Sequence, residues 1–221
     1  MSETAGVRMD VVAMPPWLDE WTPPWPVAAP DLGDSIVLDG GASPEEVGFV
    51  AALLVRHNTD PMPRGSARDL LRTVVETVDL RLAGGVRVRD GAGSVVEPGC
   101  CCGVEEWREW LSVTDGESSP WMGHDPWGWV EHEADALRVC SAPEDDSALG
   151  HGPATVTIAI PRAELPRLLD GVRADLEAFA RRLREWAAEI DPALAGPLAE
   201  RFEAAFVRCE GPRLTAPCAS P

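Results

Sequence analysis

The 221-residue chain has no lysine, no glutamine and no tyrosine, and Asn58 is its only asparagine. Lysine, tyrosine and asparagine come from AT-rich codons, so their scarcity points to a high-GC bacterial genome. All 19 basic residues are therefore arginine, and as a set they say little about function. No window approaches the ~18 apolar residues of a membrane span. The start, Met1-Ser2-Glu3-Thr4, lacks the basic stretch and apolar run of a secretory signal. These absences lead us to expect a cytoplasmic protein whose six cysteines are mostly reduced. There is no GxGxxG after a strand, no P-loop, no HExxH, no GxSxG and no paired CxxC. No internal repeat is present.

What is there describes an ordinary globular balance, 45% hydrophobic and 25% charged, enough for one well-buried domain. The net charge of -18 is unevenly spread. Residues 97–146 hold thirteen acidic residues against Arg108 and Arg138, a net of -11, whereas residues 162–210 hold ten against eight arginines, a net of -2. An acidic surface of this kind repels nucleic acid and anionic membranes and attracts a basic protein partner. It also serves solubility alone.

Residues 15–34 are rich in Pro and Trp (Pro15, Pro16, Trp17, Trp21, Pro23, Pro24, Trp25, Pro26, Pro30), which predicts an extended segment whose rings pack across the domain. We therefore divide the chain into an N-terminal arm (1–34), one α+β domain (35–210) and a C-terminal tail (211–221). Ser43-Pro44-Glu45-Glu46 is a capping box opening a helix through about His57. Ser66 caps a second helix whose apolar face runs Leu70, Leu71, Val74, Val78, Leu82 and which Gly84-Gly85 should end. Strands are expected at 86–89, 129–133, 137–140 and 155–160. The stripe from Leu165 through Leu176, Phe179 and Leu183 to Ile190 predicts a long helix broken at Pro192, followed by a last one. Strands clustered between helical blocks argue for α+β, with a mainly antiparallel sheet of three to five strands packed against the long C-terminal helix and two N-terminal helices.

Two clusters stand out. The first is Gly99-Cys100-Cys101-Cys102-Gly103, at the start of a short helix carrying Trp107 and Trp110. A helix N-terminus favours a thiolate, and Cys102 is best placed for that, but Glu105, Glu106 and Glu109 oppose it. Unpaired cysteines are often buried, so the first reading is a tight packed turn that positions the two tryptophans. Zinc prefers ligands spaced by two to four residues, and adjacent side chains should diverge, so a metal site would combine one or two of Cys100, Cys101 and Cys102 with His124, His132 or Cys140. The second cluster is Ser119-Pro120-Trp121-Met122-Gly123-His124-Asp125-Pro126, followed by Trp127 and Trp129. His124 is a candidate general base, with Asp125 or Glu131 as partner and a cysteine or Ser119 as nucleophile. The plainer reading is a loop whose rings pack down. Arg64, ahead of the second helix, is a weaker anion-binding candidate, since Asp60 and Asp69 can pair with it.

The stretches Pro98–Gly103 with Glu106-Trp-Arg-Glu-Trp110, and Ser119–Pro126, resemble those of uncharacterised actinobacterial proteins of similar size. That resemblance implies no activity and no catalytic residue. The leading expectation is a non-enzymatic, cofactor-free interaction protein of the immunity or inhibitor kind. It would hold a basic partner through Trp107, Trp121, His124, Asp125 and Trp127, because interfaces favour Trp anchors. The competing expectation is an enzyme or a redox or metal sensor, with zinc as its ion, in which Cys100, Cys101 or Cys102 meets His124 or His132.

Overall fold

The computed structural model describes residues 6–15, 21–28, 35–59, 64–114, 116, 118–142 and 154–208. Trp17, Asp60 and the expected tail fall outside them. Among the described residues the architecture is α+β, with five α-helices and two antiparallel sheets. The strands expected as one sheet thus divide into two. In the first, β1 (Arg8–Ala13) lies between β2 (Ile36–Val37) and β3 (Gly84–Arg89), and β4 (Val95–Val96) completes the order β2-β1-β3-β4. The second is a meander of β5 (Trp127–His132), β6 (Ala136–Ala142) and β7 (Val156–Pro161).

Strand β1 corrects the sequence reading. It lies inside the stretch assigned to an arm, yet it is a central strand, with Val11, Val12 and Ala13 fully buried. It pairs along its whole length with β3, from Arg8 opposite Arg89 to Ala13 opposite Gly84. Its only charged interior residue, Asp10, is buried between Arg87 and Arg89, 3.2 and 2.8 Å away. Gly84 and Gly85 likewise belong to the sheet and do not terminate a helix. Gly84 has φ +148°, and a Cβ there would collide with the Val12 carbonyl of β1.

Helix α1 (Pro44–His57) begins at the expected capping box. The Ser43 hydroxyl accepts from the Glu46 amide at 3.2 Å, and the Glu46 carboxylate accepts from the Ser43 amide at 2.7 Å. Helix α2 (Ala67–Glu76) opens on the same device at Ser66 and Asp69, but stops before Val78, which is exposed. The chain leaves the helix because Asn58, at the end of α1, clasps Arg81. Its side chain donates to the carbonyls of Leu54 and Arg81 and accepts from the Arg81 amide. Leu82 is therefore buried from an extended segment and not from a helix face.

Helix α4 (Leu165–Ile190) buries the predicted stripe against β1, α1 and α5 (Pro192–Phe202), and α2 also packs on α5. Trp25 seats the described part of the Pro/Trp segment, residues 21–28. Its ring lies edge-on to Trp186, centroids 5.6 Å apart, and its Nε1 donates to the Gly48 carbonyl at 2.8 Å. No described helix is long and apolar enough to cross a membrane.

Between the sheets runs the segment that carries the cysteines. After β4 the chain turns at Cys100–Cys101, bridges Gly103 to Ala83 at the foot of β3, and forms a 3₁₀ turn (Val104–Arg108) leading into the short helix α3 (Glu109–Val113). This unit is pinned by the chain's last described turn, Glu203–Val207, a wide π-type extension of α5. Trp107 Nε1 donates to the Phe206 carbonyl at 2.6 Å, and Arg108 donates to Ala205 at 2.7 Å, satisfying carbonyls left open where the helix ends.

Candidate functional site: a thiol and imidazole cluster

The two unusual stretches meet. The Gly99 amide donates to Met122 (2.7 Å), Cys100 to Asp125 (3.3 Å), and His124 back to Cys100 (3.1 Å), all backbone to backbone. The Trp121 indole donates to the Cys101 carbonyl at 3.3 Å. Two glycines permit this approach. A Cβ on Gly99 would sit 2.8 Å from the His124 nitrogen, and one on Gly123, whose φ is +84°, would sit 2.5 Å from the Gly99 carbonyl carbon. Glu109 of α3 anchors the second loop by accepting from the Trp121 amide at 2.6 Å.

This stitching gathers Cys100 Sγ, Cys101 Sγ and a His124 ring nitrogen within 4.8 Å of one another. Two of the three adjacent cysteines, with His124, is the combination the sequence allowed, and a local feature accompanies their approach. Cys101 adopts left-handed backbone, φ +62°, the only described non-glycine residue to do so. That conformation costs an L-residue about 1–2 kcal/mol. Both thiols are exposed and His124 is half-buried. A tetrahedral zinc with bonds of about 2.3 Å to sulfur places its sulfurs roughly 3.8 Å apart. In the structure the two sulfurs lie within 4.8 Å of each other.

The third cysteine does not join. Cys102 is buried, with its Sγ directed at the Trp121 carbonyl, 3.7 Å away. Burial first, and then the charges of Glu106, Glu105 and Glu109, push its thiol far above the usual range. The residue best placed in sequence for a thiolate is thus the least able to form one. Glu105 and Glu106 are themselves raised, mainly by burial. Cys100 is also pushed up, by partial burial first, then by the Cys101 thiol, with the Asp125 carboxylate adding to it.

His132 is held elsewhere. One ring nitrogen meets the Ser118 carbonyl at 2.9 Å, and Arg162 approaches the other at 3.3 Å. Cys140 is buried on β6 beside Thr157. Ser119 Oγ accepts from the Val130 amide and Glu131 accepts from the Trp129 indole.

Around His124 stand Trp121 and Trp127, with ring centroids 4.9 and 5.4 Å from the imidazole and 6.0 Å from each other. Both are half-buried, and Asp125 is exposed beside them. Trp107, expected among the surface anchors, is 1% exposed and lies in the core. Its edge reaches only a separate depression of about 470 Å³ between α3 and the start of α4, lined also by Leu111, Arg162, Leu169, Asp170 and Arg173. Sequence reasoning placed Gly99 and Gly123 inside the two clusters but gave them no part in joining them. Each flanks a chemistry-bearing residue, which was the available signal.

Comparison with protein-family models, with curated proteins and with solved structures finds no match.

Proposed function

We propose that the protein binds a thiophilic metal ion, zinc being the test case, through Cys100, Cys101 and His124. The observation that carries this reading is the convergence of two thiols and one imidazole within 4.8 Å, on a turn that holds Cys101 in left-handed backbone. Two thiolates and a neutral imidazole balance a divalent charge, and the carboxylates that oppose a lone thiolate favour a cation. Three protein ligands leave a fourth position for water or a ligand, the pattern of reactive and exchanging sites, whereas structural zinc sites are closed by four. Cys100 is a poor candidate for a free nucleophile, since active cysteines need a lowered thiol pKa. The thiols require a reducing compartment, so we place the protein in the cytoplasm.

The test is titration of reduced, metal-stripped protein with zinc against a chromophoric chelator. One equivalent should bind, and His124→Ala should weaken binding by at least about 100-fold. Stoichiometry below one, or unchanged affinity in the variant, refutes the reading.

A second reading, in which the acidic surface holds a basic protein, draws on one observation: Trp121 and Trp127 lie together at the surface beside exposed Asp125. Capture of a specific partner from the native host that survives Cys101→Gly but is lost in Trp127→Ala would favour it over the metal.

A further inference from the structure

We infer that Cys100 and Cys101 also close reversibly into a disulfide, which turns the proposed metal site off under oxidation. For its consequence this rests on the metal reading; the bond itself does not.

The two thiols are covalent neighbours, both exposed and both in the same cluster. The left-handed backbone that accompanies their approach is already present at Cys101. Cys102, the obvious competitor, is buried and aimed at the Trp121 carbonyl. Such a bond would be labile. The Cys100–Cys101 peptide is trans, so the two Cα atoms lie about 3.8 Å apart. Unstrained disulfides span roughly 4.4–6.8 Å between Cα atoms, and departures make the bond easier to reduce. Strained, exposed disulfides are the regulatory kind.

The chemistry balances with a hydroperoxide as oxidant. The exposed Cys101 sulfur attacks the O–O bond; a sulfur–oxygen bond forms, and the distal oxygen leaves as alcohol or water with the thiol proton. The second sulfur then attacks the resulting sulfenic acid. The S–S bond forms, and the hydroxyl leaves as water with the second proton. Two thiols and one hydroperoxide thus give one disulfide, one alcohol or water, and one water. Two equivalents of a small thiol reverse it. The closed pair offers no thiolate to a metal.

The experiment uses the full-length protein. Zinc uptake by the reduced form is measured first; one equivalent of hydrogen peroxide is then added to metal-free protein, free thiols are alkylated, and the cysteine peptide is analysed by mass spectrometry. The expected product has lost two hydrogens across Cys100–Cys101, with Cys102 alkylated only after denaturation. Its zinc affinity should fall by at least about 100-fold and return with glutathione. Cys100→Ser should form no such bond. Reduced protein that takes no zinc refutes the metal reading and the gating with it. Protein that binds zinc when reduced but yields only sulfinic acid, or keeps its affinity after the bond closes, refutes the switch alone.

Discussion

Cys101→Gly separates a ligand from a packed turn residue. At φ +62° an L-side chain carries about 1–2 kcal/mol of strain, and glycine none. Glycine gives back about 0.5–1 kcal/mol through the entropy of the unfolded chain. Because the Cys101 side chain is exposed, little packing is lost. The variant should therefore be more stable by about 0.5 kcal/mol, a rise in Tm of about 1–2 °C for a chain of this size. Its zinc affinity should fall by at least about 100-fold, since even indirect partners of metal ligands are worth 10–100-fold. Denaturant unfolding monitored by circular dichroism gives the first quantity and chelator competition the second. Cys102→Ala is the mirror image. It removes a buried thiol and should lose about 1–2 kcal/mol while leaving zinc binding intact. If Cys101→Gly loses more than about 1 kcal/mol, the thiol is packed and the strain reasoning is wrong. If it keeps its zinc, Cys101 is not a ligand.

Two further predictions concern the frame. Gly48 of α1 lies under the Pro/Trp segment, where a Cβ would sit 2.6 Å from the Pro26 carbonyl and 3.2 Å from the Trp25 ring. Gly48→Ala should therefore destabilise by about 1–2 kcal/mol, the overpacking outweighing the better helix propensity of alanine; a stabilised variant in denaturant titration would mean that Trp25 is not seated there. His57 accepts from the Ala83 amide and is held below its ordinary 6.5, by burial first and by Arg56 second. The folded state then binds fewer protons than the unfolded chain below 6.5, so this contribution is present above that pH and lost as pH falls through the window. His57→Gln should flatten that limb of the pH–stability curve; Glu105 and Glu106, raised by burial, act with the opposite sign nearer 4.5 and should remain.

Much of the scaffold was legible because its signals are local. The capping box at Ser43, the stripe of α4 and the β-branched run of β7 each specify their element within one or two turns of chain. Strand β1 was not legible, because Val11-Val12-Ala13 is a short apolar run buried on both faces, and such a run carries no period. The end of α2 was hidden because Asn58 holds the chain beyond it at Arg81, 23 residues away. The division of the strands into two sheets has no sequence marker either. At the site, the residue types were visible but their meeting was not. Spacing rules for metal ligands assume ordinary backbone, and Cys101 departs from it. The choice among three cysteines depended on burial, which sends Cys102 inward and leaves Cys100 and Cys101 at the surface.

X-ray absorption at the zinc edge of the loaded, reduced protein tests the metal centre most directly. Ligation by Cys100, Cys101 and His124 predicts a first shell of two sulfurs at about 2.3 Å and one imidazole nitrogen at about 2.0 Å, completed by one light atom. A shell of oxygen and nitrogen alone, or one with three or more sulfurs, would contradict it.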